Sequence, residues 1–298
     1  MSEMPGRKLR GVIPPMITPF DAKGEVDKKA LREIVTFLKT RVDGLFICGS
    51  YGSGPLMSIE QRKTVAEVTI EEVNSRIPVI VHVGAASTDA SVDLAVHAER
   101  YGADRVASVA PYYYSHGVDT VRDHFTRLVQ AVDIPVYIYN NPKTVGYGIS
   151  PQLARDLESL GVKGIKDSSF DLILFSDYQR NCGPDFDVVM GTEALFWPAS
   201  VIGARAFIPG LGNAFPEIMR ELYEASIGQD HRKAVELHMK AIAMREAVHR
   251  VGSTVVGVQT ALHMRGVNAG LPKAPFKPAT EQAKACLLET MRSMAIAI

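Results

Sequence analysis

Short β-branched runs alternate with helix-length amphipathic stretches through the first three quarters of this chain, and that alternation limits the fold more than any other feature. Strands are expected at residues 11–18, 44–48, 79–83, 105–109, 136–139, 164–166, 187–190 and 206–208. Helical segments fall between them at 28–39, 58–74, 88–101, 120–131 and 151–160. Within 58–74 the apolar residues Ile59, Val65, Val68, Ile70 and Val73 fall mainly at helical spacing. Ser58 with Gln61 three residues on reads as a capping box, and Ser150 before Pro151 as an N-cap with proline in the first turn. Strands separated by helices pair in parallel through right-handed crossovers. Eight of them suit closure into a (β/α)8 TIM barrel. An open doubly wound sheet would usually carry a glycine fingerprint after its first strand, and here that strand runs into Thr18-Pro19-Phe20.

Beyond the eighth strand the pattern turns helical, at 215–225, 231–249, 255–265 and 280–297, interrupted by the proline-rich stretch 272–278. The expected organisation is a barrel over 1–226 followed by a C-terminal helical appendage over 227–298. Its 298 residues accommodate one barrel. Lys+Arg and Asp+Glu both number 33, which gives no case for nucleic acid or an anionic membrane as partner. No apolar run reaches the roughly 18 residues of a membrane span, and the first eight residues lack the apolar stretch of a secretory signal. Cys48, Cys182 and Cys286 are too few and scattered for a disulfide framework. A cytoplasmic protein is expected.

Functional groups of such barrels sit at the C-terminal strand ends. Polar residues gather there: Gly49-Ser50-Tyr51-Gly52-Ser53-Gly54, Pro111-Tyr112-Tyr113-Tyr114, Tyr139-Asn140-Asn141-Pro142 and Gly164-Ile165-Lys166-Asp167. Each has an ordinary explanation by itself. A lone lysine usually snorkels to solvent, a tyrosine near a strand end packs through its ring, and the glycine turn lacks the Lys-Ser/Thr ending of a phosphate loop. His82, without a second histidine on its strand, reads as a pocket contact or a satisfied core residue rather than a metal ligand. His231, His238 and His249 are expected to face solvent or a subunit neighbour, and Met239 and Met244 to pack a helix. Asp167 could tune the charge of Lys166 or cap the strand end.

Together, the Tyr-Asn-x-Pro and Gly-Ile-Lys-Asp elements, with Tyr139 and Lys166 standing 27 residues apart, resemble the dihydrodipicolinate synthase/N-acetylneuraminate lyase family of class I aldolases. The resemblance covers nearly the whole chain from Pro14-Pro15-Met16-Ile17-Thr18-Pro19-Phe20 onward. It implies that Lys166 forms an imine with pyruvate or another small 2-oxo acid, which requires burial to lower its pKa from the usual value of about 10.4. Tyr139 would be the general acid/base and Ser50 its relay. Tyr113 would be a second relay supplied across a dimer interface in a homotetramer. The backbone amides of Ser50 and Tyr51 would hold the substrate carboxylate, with Gly191, Glu193 and Ile208 lining the rest of the pocket. No metal or organic cofactor is expected, since the lysine imine is the electron sink.

Three departures stand out. The family's Gly-Ser/Thr-Thr-Gly-Glu turn is here Gly49-Ser50-Tyr51-Gly52-Ser53, so a second hydroxyl contact to the carboxylate is lost or replaced by a phenol. Thr144 occupies the position of the synthases' substrate-binding arginine, and threonine cannot make a bidentate ionic contact. The sialic-acid lyases' serine is replaced by Gly210. Cleavage or dehydration of a 2-keto-3-deoxy sugar acid is favoured. The alternatives are 4-hydroxy-tetrahydrodipicolinate synthesis or a non-catalytic 2-oxo-acid-binding barrel.

Overall fold

The structure, a computed structural model, describes residues 8–296. Residues 1–7 and the end of the last expected helix at Ala297 lie outside the described residues. In chain order the barrel elements are β1 Gly11–Val12, α1 Lys28–Leu38, β2 Leu45–Ile47, α2 Ile59–Val73, β3 Val79–His82, α3 Thr88–Arg100, β4 Arg105–Ser108 and α4 Val118–Ala131. Then follow β5 Val136–Asn140, α5 Pro142–Val145, α6 Pro151–Ser159, β6 Gly164–Asp167, α7 Leu172–Asn181, β7 Asp187–Met190, α8 Phe196–Val201, β8 Ala206–Phe207 and α9 Pro216–Ile227. Three further helices, α10 His231–Arg250, α11 Thr254–Met264 and α12 Glu281–Ser293, form the C-terminal extension.

All strand pairs are parallel, in the order β1-β8-β7-β6-β5-β4-β3-β2. The remaining seam closes just beyond β1. Pro15 bridges Phe46, with the Met16 N–H donating to the Phe46 carbonyl at 2.8 Å and the Phe46 N–H to the Pro14 carbonyl at 3.1 Å. The eight strands therefore form a TIM barrel. Only the first strand departs much from its expected span of 11–18. Pro14, Pro15 and Pro19 have no N–H to give, so a regular ladder cannot extend there.

Local signals hold. Ser58 and Gln61 exchange both capping-box hydrogen bonds at the start of α2, and Ser150 Oγ accepts from the Leu153 N–H. Strands buried on both faces read as continuous apolar runs, and β2, β3 and β5 are buried at every position. The period of two still sorts β5: Tyr137 and Tyr139 point into the barrel, while Asn140 faces the helix layer. At the barrel floor the Tyr137 hydroxyl donates to Asp187 Oδ2 at 3.0 Å, and the Leu9 N–H donates to the same oxygen at 2.8 Å.

The extension departs from two expectations. Met239 is exposed, whereas Met244 packs in the core. His238 and His249 are only partly exposed: His238 lies against Trp197, and His249 sits near Arg245 and Glu193. The reason is that α10 lies over the barrel mouth and packs against α9 and the turn after β7, so one face of the helix is covered.

Candidate active site

Lys166 and Tyr139 are register partners on β6 and β5. Partnered residues of a parallel pair project to the same face, here the barrel interior near the C-terminal strand ends. Lys166 is 3 % exposed. Its Nζ lies 3.7 Å from the centroid of the Tyr139 ring and 3.9 Å from that of Phe46. Phe46, His82 and Tyr139 pack edge-on or tilted around this point with centroids 5.6–6.0 Å apart. Burial in this aromatic cage pushes the amine's pKa below its ordinary value, with Tyr139 partly opposing the shift.

The phenol responds in the complementary direction. Burial alone would raise the Tyr139 pKa. The Lys166 charge and hydrogen bonds from Ser50, Lys166 and Ser168 outweigh it, leaving the phenol more acidic than usual. Asn141 Nδ2 also donates to the Tyr139 oxygen at 3.1 Å. An amine biased towards its free-base form beside an acidified phenol can add to a carbonyl and exchange protons with what it has bound.

Ser50 and Tyr51 lie on the turn after β2. That turn closes through the Ser53 N–H to the Ser50 carbonyl at 3.2 Å and the Gly54 N–H to the Gly49 carbonyl at 3.0 Å, bonds that use neither the Ser50 nor the Tyr51 amide. Beside Ser50 opens a cavity of about 310 Å³, lined by Ser50, His82, Val109, Thr144, Val145 and Phe276 among others. Thr144 is thus part of the same mouth, its hydroxyl donating to the Asn141 carbonyl at 3.2 Å. Ile208 is buried on the β8 side, and Gly191 follows β7 with its N–H donating to the Asp167 carbonyl at 2.7 Å.

Tyr113 is not part of this cluster. It is 85 % exposed, in a left-handed backbone conformation with φ of 83°, its ring stacked edge-on to Tyr114. Within one chain nothing brings it to Lys166. Asp167 points the other way from Lys166, as alternation along β6 requires. It accepts from Asn140 Nδ2 at 2.8 Å and from Ser169 Oγ at 2.8 Å, which makes it a brace of the strand end rather than a neighbour of the amine. His82 is a satisfied core histidine: Nδ1 meets the Cys48 carbonyl at 3.1 Å and Nε2 the Val109 N–H at 3.3 Å. Burial, then the nearby Arg62 and Lys166 charges, hold it well below the usual histidine range. Among the described residues no three His, Cys, Asp or Glu side chains are placed to hold a metal ion.

One charged side chain beside the predicted pocket residue Glu193 is not singled out by the sequence. Arg245, on α10, reaches over the mouth and donates from Nη1 to Glu193 Oε1 at 2.8 Å. Its position on a long helix, 52 residues from its partner, carries no local motif that would single it out.

A sequence profile of the Dihydrodipicolinate synthetase family matches residues 8–294. A 4-hydroxy-tetrahydrodipicolinate synthase from Methanopyrus kandleri is 31 % identical over 296 residues, covering 98 % of each chain. The dihydrodipicolinate synthase of Aquifex aeolicus superposes with a TM-score of 0.91 at 28 % identity, over 97 % of this chain and 99 % of that one. YagE, a prophage protein of the dihydrodipicolinic acid synthase family from E. coli K12 solved in complex with pyruvate, gives a TM-score of 0.92 at 26 % identity, over 97 % and 99 %. No helix among the described residues is long and apolar enough to cross a membrane.

Proposed function

Because this chain belongs to the dihydrodipicolinate synthetase family, whose members are lyases of the class I aldolase type, we propose that it acts on a small 2-oxo acid through an imine at Lys166. The favoured reaction is cleavage or dehydration of a 2-keto-3-deoxy sugar acid. The observation that carries this reading is the Lys166 amine, buried between the Phe46 and Tyr139 rings.

The chemistry follows from the two shifted groups. The free amine adds to the 2-oxo carbon, and water leaves to give an iminium. Tyr139, as phenolate, takes the proton from the hydroxyl on the carbon β to the imine. The bond between the α and β carbons breaks, its electrons pass to the iminium nitrogen, and an aldehyde departs. The phenol then returns its proton to the α carbon of the resulting enamine, and hydrolysis of the iminium frees the shorter 2-oxo acid and the lysine. In dehydration the same electron sink acidifies the α C–H, and the β hydroxyl leaves as water. Ser50, facing the Tyr139 oxygen, relays protons. The amides of Ser50 and Tyr51, which take no part in closing the turn, hold the carboxylate. Tyr113 acts from a neighbouring subunit of a homotetramer, which is consistent with its exposed, left-handed placement.

Borohydride added with a panel of 2-oxo acids should trap a covalent adduct on Lys166, and none in Lys166→Ala. No adduct across the panel would end this reading. The name of the Methanopyrus kandleri relative favours a second one, 4-hydroxy-tetrahydrodipicolinate synthesis. Consumption of the synthase's second substrate together with pyruvate would select it, and Thr144 at the arginine position speaks against it. Ligand-induced thermal stabilisation without turnover would instead indicate a binding barrel.

A further inference from the structure

Tyr51, Glu193, Gly210 and Arg245 come from four separate stretches and meet on the β7–β8 side of the barrel mouth. A Cβ at Gly210 would lie 2.0 Å from the Tyr51 hydroxyl, so the phenol fills the volume that a side chain at 210 would occupy. The same hydroxyl lies within hydrogen-bonding reach of Arg245, and the ring is close enough to Tyr139 for their charges to interact. Arg245 is held on its other sides by Glu193 Oε1 at 2.8 Å and by the Phe170 ring, 5.3 Å from its guanidinium carbon. Glu193 is 1 % exposed, and among the described residues its Oε2 has no hydrogen-bond partner. A buried carboxylate oxygen left without a donor is costly, and native sites rarely tolerate one unless something else supplies the proton.

We propose that Tyr51 is the specificity-determining residue of this site, and that Tyr51, Arg245 and the free oxygen of Glu193 together bind the hydroxylated tail of the 2-oxo acid. The proposal rests on the Lys166 reading above and names the part of the substrate that reading leaves open. The wall offers donors from the guanidinium and the phenol beside one unfilled acceptor. A hydroxyl group, donor and acceptor at once, satisfies both kinds. A carboxylate tail would bring a second negative charge against the unpaired Glu193 oxygen, and an apolar tail would leave that oxygen without a donor. Tyr51 and Gly210 form a size-matched pair, because a side chain on one requires retreat of the other.

The test compares half-saturation of borohydride trapping by pyruvate, 2-oxoglutarate and 2-keto-3-deoxygluconate. In wild type the hydroxylated acid should saturate about tenfold or more below the other two, the factor expected for one or two added hydrogen bonds. Tyr51→Phe, which keeps the ring and deletes the hydroxyl, should shrink that advantage about tenfold, and Arg245→Gln should do the same by a separate route. Gly210→Ser should also shrink it, because the added side chain displaces the phenol. Equal saturation by all three acids in wild type, or an advantage unchanged by Tyr51→Phe, would overturn the proposal while leaving the imine intact. Absence of any wild-type adduct would instead remove the Lys166 reading and this proposal with it.

Discussion

The Lys166 amine sits over the face of the Tyr139 phenol ring. They are register partners on β6 and β5, 3.7 Å from nitrogen to ring centroid, and each shifts the other's affinity. The amine is pushed down by burial, and the phenol is brought down by the amine's charge and three hydrogen bonds despite burial.

Removing the phenol's proton separates binding from turnover. Tyr139→Phe should lower kcat by about 10²–10⁴-fold, the usual contribution of a positioned acid/base, while borohydride still traps an adduct on Lys166. Steady-state kinetics with parallel trapping decides it. Undiminished turnover would remove Tyr139 from the chemistry.

A buried lysine is costly to the folded state. With the folded-state pKa below the unfolded one, the unfolded chain binds the extra proton. The cost is absent above the unfolded pKa of about 10.4, grows as pH falls towards the folded value, and is constant below it. Lys166→Met should therefore stabilise the protein at neutral pH by roughly 1–4 kcal/mol, as replacing buried charge with a well-packed apolar side chain can do. The gain should fade as pH rises towards the pKa of free lysine. Denaturant melts at several pH values measure it, and a pH-independent difference would contradict the lowered affinity of the amine for its proton.

Gly191 is fixed by close approach. A Cβ there would lie 2.1 Å from Ser168 Oγ and 2.4 Å from the Asp167 carbonyl oxygen. Gly191→Ala should push β6 and β7 apart just beyond Lys166, costing about 1–3 kcal/mol as overpacked sites do and lowering kcat as well. An equally stable, equally active variant would show that the strand ends yield freely.

The floor of the barrel should behave differently from the mouth. Asp187→Ala would leave the Tyr137 hydroxyl and the Leu9 amide buried without their acceptor. A loss of about 2–4 kcal/mol is expected, with KM for the 2-oxo acid unchanged. A shift in KM without a loss of stability would mean that the floor communicates with the mouth.

Parts of this molecule were legible because they depend on local pattern. The capping box at Ser58 and Gln61, the proline-led start at Ser150 and Pro151, and strands β2 to β8 lie within a residue or two of where periodicity put them. β1 is shorter than its β-branched residues promise, because Pro14 and Pro15 cannot donate to a ladder. His238 and His249 of α10 are more covered than their helix pattern suggests, whereas His231 is exposed as expected: a helix's polar face does not reveal that a barrel mouth lies beneath it.

The order of residues along the chain determined that eight strands would pair in parallel and that Lys166 and Tyr139 would stand at neighbouring strand ends, since both follow from short-range periodicity and crossover geometry. Three-dimensional packing decided that Tyr51 reaches across to Gly210 and that Arg245 arrives from an outlying helix to meet Glu193. Those meetings depend on the volumes and directions of side chains far apart in the chain, which no local pattern encodes.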